Sequence, residues 1–332
     1  MLKPAYKLTI GGKVVDTTDE PKASTVVDLA VYLDLDTPAD AVQLTLGSVG
    51  FLKPKQDDDA TIELGYADNG GFTQVMTGKV VAVNAGLITT RILIQAASNL
   101  LLRTFIDQTY ENKTAGAIVQ ELASAASVDL ASASDGIQFP AYVVDGRRAV
   151  CHHIRDLGDL CGFDSYINSN GKLVFEEFSG GRTVHVLEYA KQILKLEVLQ
   201  YPGPDAEVVT FGESPGASRG DQSWAWLTKD FGTFKGSSGS GAPVELLERP
   251  ALRTAQAAQI AANAALRAIE RQTVKGTVVI AGAPKVAMGD AIRLSGVPND
   301  ALNGTYQVRA VTHRITKMRG FTTAVGFMGI PQ

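Results

Sequence analysis

Alternation of apolar and polar residues with a period of two is the feature that most restricts the fold of this chain. Successive side chains of a strand point to opposite faces of a sheet, so an alternating segment buries one face and exposes the other. The clearest example is TVVDLAVYLDLD, whose apolar face holds Val27, Leu29, Val31, Leu33 and Leu35. Similar segments recur up to residue 97 and predict about six or seven strands. Closely spaced antiparallel strands predict a barrel or a sandwich, and closure of the sheet edges favours the barrel.

A second β region begins after residue 180 and runs to the end of the chain. It is interrupted by residues 212–243, a stretch rich in Gly and Ser that carries Trp224 and Trp226. Such a stretch buries too little apolar surface to offset its conformational entropy, so it predicts a flexible surface loop. The Ala-rich segment 250–271 then predicts a helix whose small side chains permit close approach to a sheet.

Residues 103–180 break the strand pattern and predict a small α+β module between the two β regions. Thr114 is placed to accept a hydrogen bond from the first turn of a helix, with Asn112 as the alternative cap. A second helix, roughly residues 147–160, is followed by Gly162, which suits the left-handed conformation at a helix end. A turn and the strand LVFEEF complete the module. The predicted domains are residues 1–102, 103–180 and 181–332.

Composition and charge exclude several classes of protein. The chain has 332 residues, 31 Lys plus Arg against 35 Asp plus Glu, and a net charge of −4. No basic stripe provides the clustered cations that specific binding to nucleic acid requires. Two cysteines exclude a disulfide framework. We see neither a run of roughly 18 apolar residues nor the core of a signal peptide, so we expect no membrane binding and folding in a cytoplasm.

The sequence CHHIRDLGDLCG holds the residue types that most often bind zinc. On one helix, however, Cys151 and Cys161 lie about 15 Å apart along the axis, and His152 and His153 point about 100° apart. We therefore expect buried cysteines, with His152 paired to Asp156 at the surface.

Other candidate sites also have structural explanations. Asp57, Asp58 and Asp59 lack the spacing of a calcium loop and predict a solvated turn. His185 and His313 have no acidic residue at a diagnostic spacing and are expected to be structural. We therefore predict no catalytic, cofactor-binding or metal-binding residue, and no cofactor.

Three passages together resemble one known family. They are TGKVVAVNAG, the central segment KTAGAIVQELASAASVDL with GFDSYINSNGKLVFEEF, and the C-terminal run from AGAPKVAMGDAIRLSG to GFTTAVGFMG. In this order they resemble the baseplate hub proteins of contractile phage tails, also called late control protein D or tail protein D. The hub portion of VgrG spike proteins belongs to the same group. The chain lacks the downstream domains of fused VgrG, which implies a separate spike protein.

The resemblance implies a mainly β, α+β fold with two tail-tube-like antiparallel barrels, the second interrupted by the loop 212–243 and the helix 250–271. It also implies a non-enzymatic homotrimer that adapts the hexameric tail tube to the trimeric central spike. Its partners would be the tail tube protein, the spike, other baseplate proteins and the tape measure. Its location would be the virion tail baseplate, after assembly in the host cytoplasm.

Three alternatives stay open. The chain could be the equivalent hub of a pyocin-like or extracellular contractile injection particle. A metal-dependent hydrolase could be built on the central module around Cys151 and His153. A carbohydrate-binding β protein could use Trp224 and Trp226.

Overall fold

The computed structural model describes residues 3–17, 26–37, 39–47, 52–68, 71–203, 205–212 and 235–330. The first β region contains β1 (Pro4–Ile10), β2 (Lys13–Asp16), β3 (Val26–Asp34), β4 (Ala41–Gly47), β5 (Asp59–Tyr66), β6 (Gly71–Ala85) and β7 (Thr89–Gln95). The central module contains α1 (Ser98–Arg103), β8 (Gln108–Thr114), α2 (Ala115–Ala125), β9 (Leu130–Ala133), β10 (Gln138–Val144), α3 (Val150–Cys161), β11 (Phe163–Ile167) and β12 (Leu173–Glu177).

The C-terminal region contains the remaining strands and one long helix. They are β13 (Val184–Glu188), β14 (Ile193–Gln200), β15 (Glu207–Phe211), β16 (Lys235–Gly239), β17 (Val244–Glu248), α4 (Ala255–Arg271), β18 (Val274–Ala281), β19 (Ala291–Ser295), β20 (Gly304–Thr316) and β21 (Gly320–Met328). A short 3-10 turn, Asp300–Leu302, precedes β20. None of the helices in the described ranges has both the length and the apolarity needed to span a membrane.

The two predicted β regions meet in one sheet. Its 13 strands include the path β14-β18-β21-β20-β3-β4-β7-β6-β5-β1-β2, with β13 and β19 joined beside β20. The antiparallel pair β20–β3 connects the two regions directly, for example at His313 and Val31. The mainly β, α+β class is thus confirmed, whereas no closed barrel is found among the described strands.

Neighbouring strands from β14 to β6 are all antiparallel, so the strand order determines at which of the two ends of the sheet each hairpin turn lies. The hairpins β6–β7 and β20–β21 consequently turn at the same end, which we call the tip end. The turn between β3 and β4 lies at the other end. We call that the module end because Arg155 of α3 donates a hydrogen bond to the carbonyl of Leu35 there, at 3.0 Å.

Local signals in the sequence explain the helices of the module. The side chain of Thr114 accepts a hydrogen bond from the amide of Ala117 at 3.2 Å, which confirms it as the cap of α2. Gly162 ends α3 with φ 74° and ψ 27°, the predicted left-handed conformation. The helix α2 buries Ile118, Val119 and Leu122 in a core that is continuous with the main sheet.

The sequence prediction for residues 212–243 needs a correction. Residues 213–234, with Trp224 and Trp226, lie outside the described residues. Residues 235–239 are not a flexible loop but strand β16, which pairs with β15 in a small sheet that packs on α4. A Cβ atom on Gly236 would come within 2.3 Å of the Ala258 backbone, so only glycine permits this close packing. The helix α4 begins at Ala255, after Thr254 rather than at residue 250.

One residue of the first alternating segment also lies on the unexpected face. The register of β3 against β4 shifts between Val26 and Asp28, so a bulge interrupts the alternation there. Val26 is buried, and Val27 is 40% exposed. A bulge adds one residue to one strand and reverses the facing of the residues before it.

Candidate functional site

The Cys and His residues of α3 are not brought together as a metal site. His153 is buried, and its Nε2 atom lies 3.1 Å from the carbonyl oxygen of Asp145. The Cys161 sulfur accepts a hydrogen bond from the amide of Ile137, and burial raises the pKa of this thiol to about 11. Within the described ranges no group of three or more His, Cys, Asp and Glu residues could hold a metal ion.

Asp156 has a different partner from the one that the sequence suggested. It accepts a hydrogen bond from Arg148 at 2.7 Å, so the expected pairing with His152 is wrong. Arg148 lies eight positions before Asp156, outside the i+3 and i+4 spacings from which helix-surface pairs are predicted.

His185 and His313 occupy structural positions in the sheet. The Nε2 atom of His185 lies 2.8 Å from a carboxylate oxygen of Asp290, a residue too distant in sequence to suggest the pair. The Nδ1 atom of His313 lies 3.0 Å from the hydroxyl of Thr323, and burial lowers the pKa of His313 to about 4. Desolvation disfavours the charged imidazolium form in such a site.

A buried ionic network joins the central module to the sheet. Arg309 of β20 donates a hydrogen bond to Asp164 of β11 at 2.8 Å, and the side chains are only 16% and 10% exposed. Gln307 donates to the other oxygen of Asp164, and Arg309 also binds Asp36. Buried charges that are paired in this way fix the relative position of two elements, because separating them leaves an uncompensated charge.

A small cavity at the module end is lined by a buried carboxyl group, that of Asp40. It has a volume of about 70 Å³ and is lined by Asp40, Ser98, Arg155 and Tyr166 among other residues. Asp40 is 6% exposed and accepts a hydrogen bond from the amide of Asp34 at 2.9 Å. Burial, and secondarily the negative charge of Asp34, raise the pKa of Asp40 to about 7. Among the acidic groups at the junction between the first β region and the module, Asp40 has the most strongly raised pKa.

Among the described strands, a run of eight from β14 to β6 is bounded on each side by strand edge that no described strand covers. At one side of this run, β14 pairs with β18 and with no other described strand, and Leu194 is 65% exposed. At the other edge, β6 pairs with β5 up to Lys79, and beyond Val80 no described strand covers its far side. Val83, in this uncovered part, is 39% exposed. Free strand edges present unpaired backbone groups and are natural sites for pairing with another chain.

The free edges could not be found from sequence, because strand order decides which strand lies at an edge. The exposed leucine of β14 belongs to an ordinary alternating pattern, ILKLEVLQ. Only the order of the strands in space shows that this segment has no neighbour on one side among the described strands.

The solvent face of the eight strands carries mostly small and uncharged side chains. Opposite the core residues, the register brings Gln43, Thr45, Thr312 and Ala324 to this face. Two of its ion pairs are internally compensated, namely Arg314 with Asp28 at 2.8 Å and Lys195 with Glu197 at 2.7 Å. Arg91 and Lys275 add two positive charges to this face and Asp34 adds one negative charge, so the face carries little net charge for its area.

Comparison with known proteins places this fold among phage tail proteins. The 43 kDa tail protein of prophage MuSo2 from Shewanella oneidensis superposes with a TM-score of 0.72 at 13% identity, over 97% of this chain and 98% of that one. A tail protein from Neisseria meningitidis MC58 gives 0.71 at 12% identity, over 98% and 97% of the two chains. No family model matches the sequence, and no curated protein matches it.

A more distant similarity reaches secretion systems. The E. coli c3393 protein is described as a type VI secretion component with structural similarity to the T4 bacteriophage tail proteins gp27 and gp5. It gives a TM-score of 0.58 at 12% identity, over 98% of this chain and 77% of that one. At these identities the similarity shows the fold, and at that level it confirms the resemblance to phage tail hub and VgrG-related proteins.

Proposed function

Starting from a fold shared with phage tail and type VI hub-like proteins, we propose that this chain is a structural baseplate hub. Three copies form a closed ring that adapts the tail tube to a separate central spike. The observation that carries the proposal is the pair of free edges at the two limits of an eight-strand segment. A contact between two different edges is heterologous, and such contacts form a closed ring when the rotation between copies permits it.

Strand direction is compatible with this closure. The eight strands alternate in direction, so β14 of one copy would meet β6 of the next copy in antiparallel orientation. The residue pairs of the seven neighbouring strand pairs connect Ile193, at the start of β14, step by step to Val80 of β6. The two residues therefore lie at the same height along the strands. Val80 is the point beyond which no described strand covers the far side of β6. From that level the uncovered part of β6, up to Ala85, runs towards the tip end, whereas β14 runs towards the module end. A shift of about five residues along the strands would set the two stretches side by side, and strand tilt produces shifts of this kind in closed barrels.

The proposed ring would line its channel with the solvent face of the eight strands, on which positive and negative charges nearly balance. A lumen with compensated charges attracts neither a polyanion nor a polycation strongly, because the electrostatic part of such binding needs clustered charge of one sign. This suits a passage through which DNA or protein moves without being held. A structural part of the particle, rather than an enzyme, is the role we propose, located in the virion tail baseplate.

The test is the mass of the particle that the purified chain forms. Light scattering or native mass spectrometry of the wild type is expected to give three times the chain mass of 35.1 kDa. Leu194→Lys places a charge on the proposed edge and is expected to leave monomers. The matched control is Leu246→Lys in β17, since Leu246 is 69% exposed and lies outside the 13-stranded sheet.

Two outcomes would contradict the proposal. A wild-type chain that stays monomeric with or without tube and spike proteins would refute the proposed ring. A Leu194→Lys variant that assembles as well as Leu246→Lys would refute the proposed contact between β14 and β6. The hub of a pyocin-like or extracellular injection particle would have the same geometry, and the genes beside this one distinguish the two devices.

A further inference from the structure

A cleft of about 330 Å³ lies where the central module meets both β regions. Its walls come from β6, from the turn between β11 and β12, and from residues 285–290 before β19. The turn is held against β6, because Gln74 donates hydrogen bonds to the carbonyl of Ser169 and to the side chain of Asn170, both at 2.9 Å. Small-molecule sites in proteins are concave and occupy about 300–1,000 Å³, so this cleft is large enough for a small ligand.

The hydroxyl group of Tyr166 is buried at this cleft. Tyr166 is 8% exposed, and its hydroxyl oxygen has no hydrogen-bond partner among the described residues. A Cβ atom on Gly289 would overlap this oxygen, and the residues on both sides of Gly289 line the cleft. They do not line the small cavity beside Asp40, so the hydroxyl end of Tyr166 faces the larger cleft. A buried hydroxyl without a partner costs free energy, and a bound group at the site would supply that partner.

Two cationic side chains line the cleft together with this hydroxyl group. The amide of Arg182 donates a hydrogen bond to the carbonyl of Gly289 at 3.0 Å, and the guanidinium carbon lies 5.9 Å from the centre of the Tyr166 ring. One nitrogen of Arg182 binds Glu176 at 2.7 Å, and the guanidinium has further N–H donors. Lys285 is exposed and forms no ion pair with any described residue. The cleft therefore has donors of positive charge at its surface.

The two carboxylates that line the cleft are already bound within the protein. Asp290 accepts a hydrogen bond from the amide of Ala287 at 3.1 Å, in addition to its contact with His185. Asp40 accepts one from the amide of Asp34. The groups that a ligand would meet are thus mainly N–H and O–H donors. Such a set favours a ligand with negatively charged acceptor oxygens, because hydrogen bonds between a cation and an anion are short and strong.

We propose that this cleft binds a small organic oxyanion, a molecule that carries a carboxylate or a phosphate group. Tyr166 donates its hydroxyl hydrogen to an oxygen of the ligand, and Arg182 and Lys285 supply the opposite charge. The buried side chains of Val75 and Met288 form an apolar wall for the carbon skeleton. Since Tyr166 belongs to the module and Lys285 to the C-terminal region, the ligand joins these two parts of the chain. The proposal does not depend on the three-copy ring.

The experiment uses the full chain with inorganic phosphate and with citrate, in separate arms at matched ionic strength. Binding is measured by titration calorimetry and by the temperature of thermal unfolding. Tyr166→Phe removes only the hydroxyl group, and Lys285→Gln removes one positive charge. The matched control is Lys53→Gln, because Lys53 is also exposed, forms no ion pair with any described residue and does not line the cleft.

The wild type is expected to bind at least one of the two anions in a saturable way, and the arm that responds identifies the charged group. Tyr166→Phe should weaken this binding by about tenfold or more, because it removes a hydrogen bond to a charged group. Lys285→Gln should weaken it by about two- to fivefold, since solvent screens an exposed charge. Lys53→Gln should bind as the wild type. Without ligand, Tyr166→Phe should unfold at a higher temperature than the wild type, because it no longer buries an unpaired hydroxyl.

Three outcomes would overturn the proposal. A wild-type chain that binds neither anion has no such site. If Tyr166→Phe and Lys285→Gln both respond as Lys53→Gln does, the anions act through their general effect on protein stability and not at this cleft. If Tyr166→Phe unfolds at a lower temperature than the wild type without ligand, the hydroxyl has a partner within the protein and does not wait for a ligand.

Discussion

Asp40 provides the sharpest prediction from the structure, because one buried carboxyl group should make the stability of the module junction depend on pH. The group is 6% exposed, and burial raises its pKa from 3.8 to about 7. The perturbation is Asp40→Asn, which keeps the shape and the acceptor for the Asp34 amide but cannot ionise. A carboxyl whose pKa is higher in the folded state than in the unfolded state is bound to its proton more tightly after folding.

The sign and size of the effect follow from linkage. Between pH 3.8 and about 7 the folded state holds the proton while the unfolded state has released it, so the stabilisation from this group is lost as pH rises through that window. The shift of about three pH units corresponds to about 4 kcal/mol at 1.36 kcal/mol per unit. This figure is an upper bound, since the cavity of about 70 Å³ beside Asp40 can admit water, which would stabilise the ionised form.

The assay is urea unfolding of the wild type and Asp40→Asn from pH 4 to pH 8.5. The difference in free energy of unfolding, wild type minus variant, should fall by about 2–4 kcal/mol up to pH 7 and then stay level. Asp68→Asn, which removes the same charge from an exposed pair with Lys3, controls for the change in net charge. A difference that is constant within about 0.5 kcal/mol over the whole range would refute the reasoning, because no linked proton would then distinguish the two states.

Two further predictions concern packing at the module junction and in the small sheet. Arg309→Met should destabilise the chain by about 3–5 kcal/mol, because it leaves Asp164 buried without its partner. Arg314→Met, at the exposed pair with Asp28, should lower the free energy of unfolding by less than about 1 kcal/mol. Equal effects of the two substitutions in urea unfolding would contradict the role of the buried network. Gly236→Ala should cost several kcal/mol, because its Cβ would lie 2.3 Å from the Ala258 backbone. Gly304→Ala is the control, since the nearest atom to its Cβ would be 3.6 Å away. Unfolding of both variants at the same temperature would contradict the prediction, because it would show that β16 accommodates the added methyl group.

Local chemistry explains which parts of the fold could be predicted from sequence. The cap at Thr114 and the left-handed Gly162 depend on residues within one helical turn, so the pattern alone predicted them correctly. The bulge at Val27 depends on the pairing with β4, which the alternation of one segment does not contain. β16 has the composition of a linker although it is a strand. Its small residues are needed because α4 packs so closely against it.

Contacts between distant parts of the chain were beyond the reach of such patterns. The pair β20–β3 joins residues almost a full chain length apart, and it turns two predicted β regions into one sheet. The pairing of His185 with Asp290 depends on the parallel neighbours β13 and β19, so a search for an acid near the histidine in sequence missed it. The two free edges and the position of both hairpin turns at the tip end depend on the same strand order.

That strand order gives a physical reason why one chain should contain two β regions but only one module. Each copy carries two hairpin tips at one end of its sheet and a single central module at the other. In the proposed ring, three copies would therefore present six tips on one face and three modules on the opposite face. A three-fold spike could then meet three identical modules, whereas a six-fold tube would meet two kinds of hairpin in alternation. The continuous sheet across β20 and β3, reinforced where Arg309 binds Asp164, would keep the two tips of a copy at a fixed spacing under load.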